Sequence, residues 1–318
     1  MEWLIRSDEE PAEGFGKKPE ERSVEELLKN GFVVLDKWQG PTSHDVVATV
    51  KKVLGLNKTG HAGTLDPMVS GVLLVTLENA CKVIPALQGL DKEYAGVMHL
   101  HKETDAKKLS ATVKKFLGDI RQRPPVRSAV ARKERTRRVH SFDILEISGK
   151  DVLFKTSVEA GTYIRVLCHD IGKHLGGAHM SELRRTKAGP FGEEQSVKMH
   201  DIADAFVFWK ENGDDKIRDY VLPVEKAVDH LKKIVVKDSA VFSVAGGTPL
   251  YTQGICKIRK GIEKDDLIAL ITLKGELVAL AMAAMSSDEM MHRKGLAAKT
   301  DRVIMEKGVY PKMRQHYG

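Results

Sequence analysis

The sequence predicts an α+β fold divided into two modules, and three observations predict it. Lys92 to His101 alternates with the period of a half-buried strand, with Tyr94, Gly96, Met98 and Leu100 on one side and Ala95, Val97, His99 and His101 on the other. Val46, Val47, Val50, Val53 and Leu54 recur at helical spacing instead. Beyond residue 232 the apolar runs are short and closely set, as in a compact β-rich domain. A chain of 318 residues has the length of about two domains of roughly 100–200 residues each, and its 42% hydrophobic residues can bury an ordinary core, which excludes wholesale disorder.

Residues 1–31 are polar and acidic, and Pro11, Gly14, Gly16 and Pro19 interrupt any periodicity, so this arm is expected to order only against something else. The first module, 32–231, opens with the apolar strand Phe32-Val33-Val34-Leu35, which ends in Asp36-Lys37 and a turn at Gly40-Pro41. Thr42 and Asp45 have capping-box spacing ahead of the Val46 helix, and Gly55 stops it. A loop, Gly60 to Pro67, leads into a buried strand from Gly71 to Leu77. After the alternating strand, Leu109, Val113, Phe116 and Leu117 mark a helix with Gly118 beyond its end. Strands at about 139–147 and 152–159 join across Ser148-Gly149-Lys150-Asp151 as a hairpin. Gly161-Thr162 breaks the second strand. Ile164, Leu167, Cys168, Ile171 and Leu175 then line a helix closed by Gly176-Gly177, which puts Tyr163 and Arg165 at its first turn. Residues 191–231 read as an acidic connector. Strands near 234–236, 255–259, 267–272 and 277–282 form the second module, 232–307, and 308–318 is a short tail.

The net charge of +7 is unevenly spread. In order, residues 1–31, 32–190, 191–231 and 232–318 carry −4, +10, −5 and +6. Two basic blocks separated by acidic ones suggest two surfaces that each face a polyanion, with the acidic segments packing between modules or against protein partners. Arg121 to Arg138 concentrates eight basic residues against the single acid Glu134. Phosphate relieves that repulsion and releases counterions, so a phosphate contact is preferred to a merely solvated face.

Several function classes are excluded. No apolar stretch is long enough to span a bilayer and the acidic start does not resemble a secretory signal, so a soluble, intracellular protein is expected, with no membrane role. Cys81, Cys168 and Cys256 are too widely spaced for a disulfide framework or a zinc knuckle. Cys168, His169, His174 and His179 read as core and local polar residues rather than as a metal site. Walker loops, Gly-x-Gly-x-x-Gly after a strand and His-Glu-x-x-His are all missing. Asp66 is left as a turn initiator or a catalytic carboxylate. Gly60 and Gly63 would let a ligand approach the backbone, His61 adds a stackable ring, and Arg165 is a guanidinium that could hold a carboxylate ionised.

At this point the residues resemble a known family. Gly60-His61-Ala62-Gly63-Thr64-Leu65-Asp66-Pro67 with Ser70-Gly71 resembles the catalytic-aspartate motif of TruB-family pseudouridine synthases. Leu35-Asp36-Lys37 with Gly40-Pro41-Thr42-Ser43-His44 is similar to the family's first motif, Lys92-Glu93-Tyr94 to its tyrosine strand, and Gly161-Thr162-Tyr163-Ile164-Arg165 to its arginine motif. Trp38-Gln39 departs from the prolines usual after the first motif's lysine. Gln122-Arg123-Pro124-Pro125-Val126-Arg127-Ser128-Ala129 and Glu182-Leu183-Arg184-Arg185-Thr186 resemble the dyskerin-like branch, which works in box H/ACA ribonucleoproteins, and 237–305 resembles its PUA RNA-binding domain. The tail lacks the long lysine-rich extension of eukaryotic members, which favours an archaeal reading.

The resemblance implies a mixed, largely antiparallel central sheet, a β-barrel-like PUA domain, and a cofactor-free isomerisation of uridine in RNA. It makes Asp66 the catalytic carboxylate, Arg165 its salt-bridge partner, Tyr94 a stacking ring and Tyr163 a proton acceptor. His61 would hold the target nucleotide out of its stack. Lys37 would support the Asp66 loop or contact phosphate, and Leu183 would pack on the base or belong to a helix core. Arg121, Arg123, Arg127, Arg132, Lys133 and Arg184, with Gly247, Lys257, Arg259 and Lys260 in the second module, are the expected RNA contacts. The implied partners are a box H/ACA guide RNA, rRNA and tRNA substrates, and three small proteins: one zinc-containing or zinc-derived, one Gly/Arg-type and one kink-turn RNA binder. Guide-independent action on tRNA alone and a non-catalytic RNA scaffold are the alternatives.

Overall fold

The computed structural model describes residues 2–124 and 133–312. A short strand β1 (Trp3–Ile5) and helix α1 (Val24–Asn30) belong to the acidic arm. The helix was not expected there. Ser23 accepts from the Glu26 N–H and Glu26 reaches back to the Ser23 N–H, a reciprocal cap that starts a turn burying Val24, Leu27 and Leu28.

The first module is a ten-stranded sheet. β2 (Gly31–Lys37), helix α2 (Ser43–Val53), β3 (Thr59–Ala62) and β4 (Ser70–Leu77) come first, followed by helix α3 (Ile84–Gln88) and β5 (Lys92–Leu100). Helix α4 (Ala106–Lys114) precedes β6 (Gly118–Gln122), β7 (Arg135–Ser148) and β8 (Asp151–Val158). Helix α5 (Ile164–Lys173), β9 (Ala178–Ala188), β10 (Phe191–Gly192), helix α6 (Met199–Asn212) and β11 (Leu222–Pro223) complete it. The strands run in the order β11-β2-β4-β9-β5-β8-β7-β6, with β3 paired to β4 and β10 to β9. Among the strand pairs of the described residues β4–β9 alone is parallel, so the sheet is mixed and largely antiparallel.

The alternation read in β5 is real: Lys92, Tyr94, Gly96, Met98 and Leu100 are buried and the residues between them are not. Three elements depart from the sequence reading. Gly60 to Ala62 of the expected 60–67 loop belong to strand β3, the ends of the basic run at 121–138 are strands β6 and β7, and beyond 177 the unassigned 178–188 is the central strand β9 while the supposed connector at 191–231 holds the helix α6. Leu183 therefore stands on a strand, not on a helix.

The second module is a seven-stranded sheet curled into a half-barrel. It comprises β12 (Lys233–Val236), helix α7 (Asp238–Ala245), β13 (Leu250–Tyr251), β14 (Ile255–Arg259), β15 (Leu267–Ile271), β16 (Leu277–Ala283), helix α8 (Ser287–His292) and β17 (Leu296–Val303). The seventh strand comes from the arm: β1 pairs antiparallel with β14, Leu4 opposite Ile258. This is what the arm orders against. Glu2 pairs with Lys260 at 2.9 Å and Glu9 with Lys237 at 2.5 Å, so part of its negative charge lies on the basic second module.

The modules share a core. Phe32, Val34, Leu74 and Val83 of the first pack in one buried cluster with Ala269, Leu277, Leu280 and Ile304 of the second. Above it, Arg22 of the arm makes a two-point ion pair with Glu225, both contacts 2.7 Å, and Glu225 also accepts the Leu277 N–H at 2.8 Å. No helix among the described residues is long and apolar enough to cross a membrane.

Candidate active site

Asp66 lies in the loop between β3 and β4, where the Val69 N–H donates back to the Asp66 carbonyl at 3.0 Å. Side chains from distant elements take up the loop's other main-chain oxygens. Gly63 O accepts from Arg185 Nη2 at 3.0 Å, Leu65 O from Ser43 Oγ at 3.0 Å, and Val69 O from Lys37 Nζ at 2.8 Å. Pro67 O accepts from Lys37 Nζ at 3.2 Å and from the Gly40 N–H at 2.9 Å. Ser43 Oγ in turn accepts the Leu65 N–H at 2.8 Å. A loop so held keeps its geometry without ligand, which is what preorganised catalysis requires.

Lys37 is fully buried at the end of β2, with its three bonds going to carbonyls, including Trp38 O at 2.9 Å. Its ammonium is thus spent on the main chain of the Asp66 loop and of Trp38. Arg185 is equally buried on β9, its Nε donating to Val72 O at 2.6 Å. Lys92, buried on β5, donates to Gln88 O at 2.8 Å and to Leu90 O. None of the three has a carboxylate partner among the described residues, and the charges oppose one another. Burial first, and Arg185 second, push Lys37 below its ordinary value and Lys92 down to about 8. Burial, then Arg185, then His44, lower His61 in the same way.

Arg165, in the first turn of α5, forms an ion pair with Asp66. Each side chain is about half exposed, 50% for Arg165 and 52% for Asp66, so the pair contributes little to stability and serves to fix the carboxylate's position and partner. Tyr94 on β5 is opposite Arg185 on β9, and Gly96 is opposite Leu183. Cross-strand partners share a face, so Tyr94, Leu183, Lys92 and Arg185 project together. The absent side chain of Gly96 leaves the room that Leu183 fills. Tyr163 is the residue that caps the start of α5, and its main chain is held by Gln122. His61 is on β3, and its Nδ1 is buried without a hydrogen-bond partner.

The motif glycines serve packing more than ligand approach. A Cβ on Gly60 would meet Ile84 at 2.7 Å, and one on Gly71 would meet the Arg185 carbonyl at 2.2 Å; Gly71 also has φ +101°. Gly63 takes φ +82°, the left-handed turn that bends the loop over Arg185. Arg185 and Ser43 were missed as functional residues, although both stand inside motifs. Arg185 follows Leu183 at strand spacing, and Ser43 begins a capped helix.

The expected RNA contacts fall into three groups. Arg121, Arg123 and Lys133 are exposed, whereas Arg127 and Arg132 lie outside the described residues. Arg184 is engaged by Asp36 at 2.9 Å and by Glu193. In the second module Gly247 has φ +89° and open space around it. Lys257, Arg259 and Lys260 belong to the edge that β1 covers, with the Arg259 guanidinium 4.2 Å over the Trp3 ring and Lys260 paired to Glu2. The basic edge expected there is an arm-binding edge. A cavity of about 540 Å³ opens beside the site between β2, α2 and α6, lined by Trp38, Val53, Arg184 and Met199, but Asp66, Tyr94 and Tyr163 do not line it. Among the described residues no three His, Cys, Asp or Glu side chains are placed to hold a metal ion.

Family models match almost the whole chain. Residues 51–164 match the TruB family pseudouridylate synthase N-terminal domain, 165–229 the tRNA pseudouridylate synthase B C-terminal domain, 232–304 the PUA domain and 1–47 the DKCLD domain. The chain is 50% identical over 314 residues to a probable tRNA pseudouridine synthase B of Methanopyrus kandleri, covering 98% of this chain and 93% of that one. It is 54% identical over 303 residues to that of Thermococcus onnurineus, covering 94% and 91%. The fold superposes on the matching chain of a crystallised Cbf5-Nop10-Gar1 complex with TM-score 0.92 at 50% identity, covering 98% and 96%. A chain of an H/ACA RNP bound to a substrate RNA containing 2'-deoxyuridine gives TM-score 0.91 at 49% identity, covering 98% and 96%. Half of all residues are thus shared across the arm, the sheet that carries Asp66 and Arg165, and the PUA module together, and the chain belongs to the TruB family of pseudouridine synthases, which are isomerases.

Proposed function

We propose that the protein converts uridine to pseudouridine in RNA as the catalytic subunit of a cytoplasmic archaeal box H/ACA particle, acting on rRNA chosen by a guide RNA and also on the T-loop uridine of tRNA. The observation that carries the reading is the Asp66–Arg165 ion pair on a loop braced by Lys37, Ser43 and Arg185. The reaction breaks the bond from N1 of uracil to C1′ of ribose and makes one from C5, and the C5 proton leaves. It needs an ionised carboxylate beside the sugar, a group to accept that proton, and a site closed to water while the base turns.

Asp66 is the carboxylate, paired with Arg165. Tyr94 stacks on the extruded base and Leu183 packs against it, Tyr163 takes the proton, and His61 occupies the place the nucleotide leaves. Arg121, Arg123 and Lys133 offer phosphate contacts at the mouth of the basic run, and the PUA module holds an RNA end around Gly247. Solved relatives in complexes with Nop10 and Gar1, and one with substrate RNA, support small protein partners of those two kinds. A kink-turn binder completes the proposed set. The tRNA activity is favoured by the relatives described as tRNA pseudouridine synthase B.

Tritium release from C5-labelled uridine tests the reading. We expect release from an rRNA fragment only with guide RNA and partners, and slower release from tRNA by the protein alone. Asp66→Asn should lower release by roughly 10³-fold or more while RNA affinity stays within a few fold. Full turnover by that variant would remove Asp66 from the chemistry, and no release from either RNA by the wild type would leave a scaffold.

A further inference from the structure

Gln122 is the last residue of β6, buried to 3% exposure, and none of the roles above uses it. Its side-chain amide lies along the main chain of Tyr163, 41 residues away. Nε2 donates to Tyr163 O at 3.2 Å, and Oε1 accepts from the Tyr163 N–H at 3.0 Å. One side chain thereby copies the two-bond exchange of an antiparallel strand pair.

The place it grips matters. Tyr163 is the N-cap residue of α5, in extended conformation and with no side-chain cap of its own. Gly161 turns the chain just before it with φ +82°, and the Thr162 N–H and hydroxyl are both spent on Glu159 O, at 3.2 and 2.8 Å. Tyr163 O also receives the Leu167 N–H at 2.9 Å, the first bond of the helix. Gln122 is thus a second, external hold on the residue where the turn becomes a helix, and Arg165 follows two positions later. A small rotation at this cap would swing the Tyr163 ring and displace the guanidinium from Asp66.

We propose that Gln122 is a positioning residue for the reaction, acting through the main chain of Tyr163 to set the Tyr163 ring and Arg165 against Asp66. The inference rests on the catalytic roles given above to Asp66, Tyr163 and Arg165. It assigns Gln122 no contact with substrate.

Chemistry supplies a specific test. A protonated glutamic acid has the same shape as glutamine and can make both bonds, its O–H donating to Tyr163 O and its C=O accepting the N–H. A glutamate anion keeps only the acceptor and faces a carbonyl with negative charge. Tritium release should be measured as kcat and KM, at saturating RNA, for wild type, Gln122→Ala and Gln122→Glu between pH 5.5 and 8.5. These measurements belong well below each variant's melting temperature, with RNA affinity taken separately.

Gln122→Ala should lose roughly 10–100-fold in kcat at every pH, with RNA affinity within about twofold. For Gln122→Glu the ratio of its kcat to wild type should climb as pH falls, while the ratio for Gln122→Ala stays flat. A merely structural role would lower melting temperature and leave kcat of the folded variants near wild type. Either that result, or a Gln122→Glu ratio that does not depend on pH, overturns the proposal. Asp66→Asn run alongside separates the two failures. If it is inactive while Gln122→Ala is at wild-type rate, only this inference falls; if it is active, the reading beneath falls as well.

Discussion

Lys37 Nζ stands 2.8 Å from the main-chain oxygen of Val69 and 3.2 Å from that of Pro67, so a single ammonium holds two of the three carbonyls between Asp66 and β4. The lysine is completely buried and is bound by carbonyl dipoles instead of a carboxylate. Such a charge is costly to desolvate and costly to lose once the loop is built around it.

Lys37→Met should therefore destabilise the fold by about 2–4 kcal/mol and lower kcat while leaving the salt dependence of RNA binding unchanged. A phosphate-contacting lysine would behave differently, since its removal reduces the slope of log K against log salt by about one. Urea unfolding and binding at a series of salt concentrations distinguish the two.

Lys92 gives a pH prediction. Its folded value is about 8 against an ordinary 10.5, so between those values the unfolded chain binds more protons and stability rises with pH. Burial of charged Lys92 costs stability below about pH 8, and the cost is relieved as pH climbs toward 10.5. The difference in unfolding free energy between wild type and Lys92→Met should shift toward wild type by about 1–3 kcal/mol across that window. A difference that stays constant from pH 7 to pH 10 would show that Lys92 titrates normally in the folded protein.

Arg22 and Glu225 tie the arm to both modules, their side chains only 9% and 12% exposed. Removing one partner strands the other, so Arg22→Ala or Glu225→Ala should cost about 3–5 kcal/mol. Replacing both by methionine should cost less than either alone. Calorimetry is the measurement, and a single variant with an unchanged melting profile would show the knot to be dispensable.

Arg259 and Lys260 lie under the arm, which changes what their mutation should do. Arg259→Ala should expose Trp3 and shift its fluorescence to the red, with RNA affinity within about twofold. A loss of affinity of tenfold or more with no spectral change would return these residues to the RNA surface.

Much of the site was legible because short motifs name it. Asp66, Tyr94, Tyr163 and Arg165 all stand where a loop, a strand or the first turn of a helix was expected, since the apolar residues of the strand and of the helix keep strict period. β9 was not legible for the opposite reason. Its inward position opposite Tyr94 is Arg185, so the alternation breaks at the residue that braces the Asp66 loop. The arm was read as ordering against something else, but its partner was not legible, because the β14 edge it joins lies far along the chain. Helix α6 buries Ile202 and Ala205 but opens with the acids Asp201 and Asp204, which made its segment read as a connector by charge.

β9 also dictates when the site can exist. It fills the gap between β4 and β5, and Arg185 reaches Val72 across 113 residues of chain. On the ribosome, at about 5–20 residues per second, the N-terminal strands wait several seconds with two sheet edges open before that strand emerges. The Asp66 loop is made early and gains its last brace late. A nascent chain stopped before residue 178 would display Asp66 on a loop held by Lys37 and Ser43 but not by Arg185, beside raw β4 and β5 edges, a species for chaperones to shield until the sheet is closed.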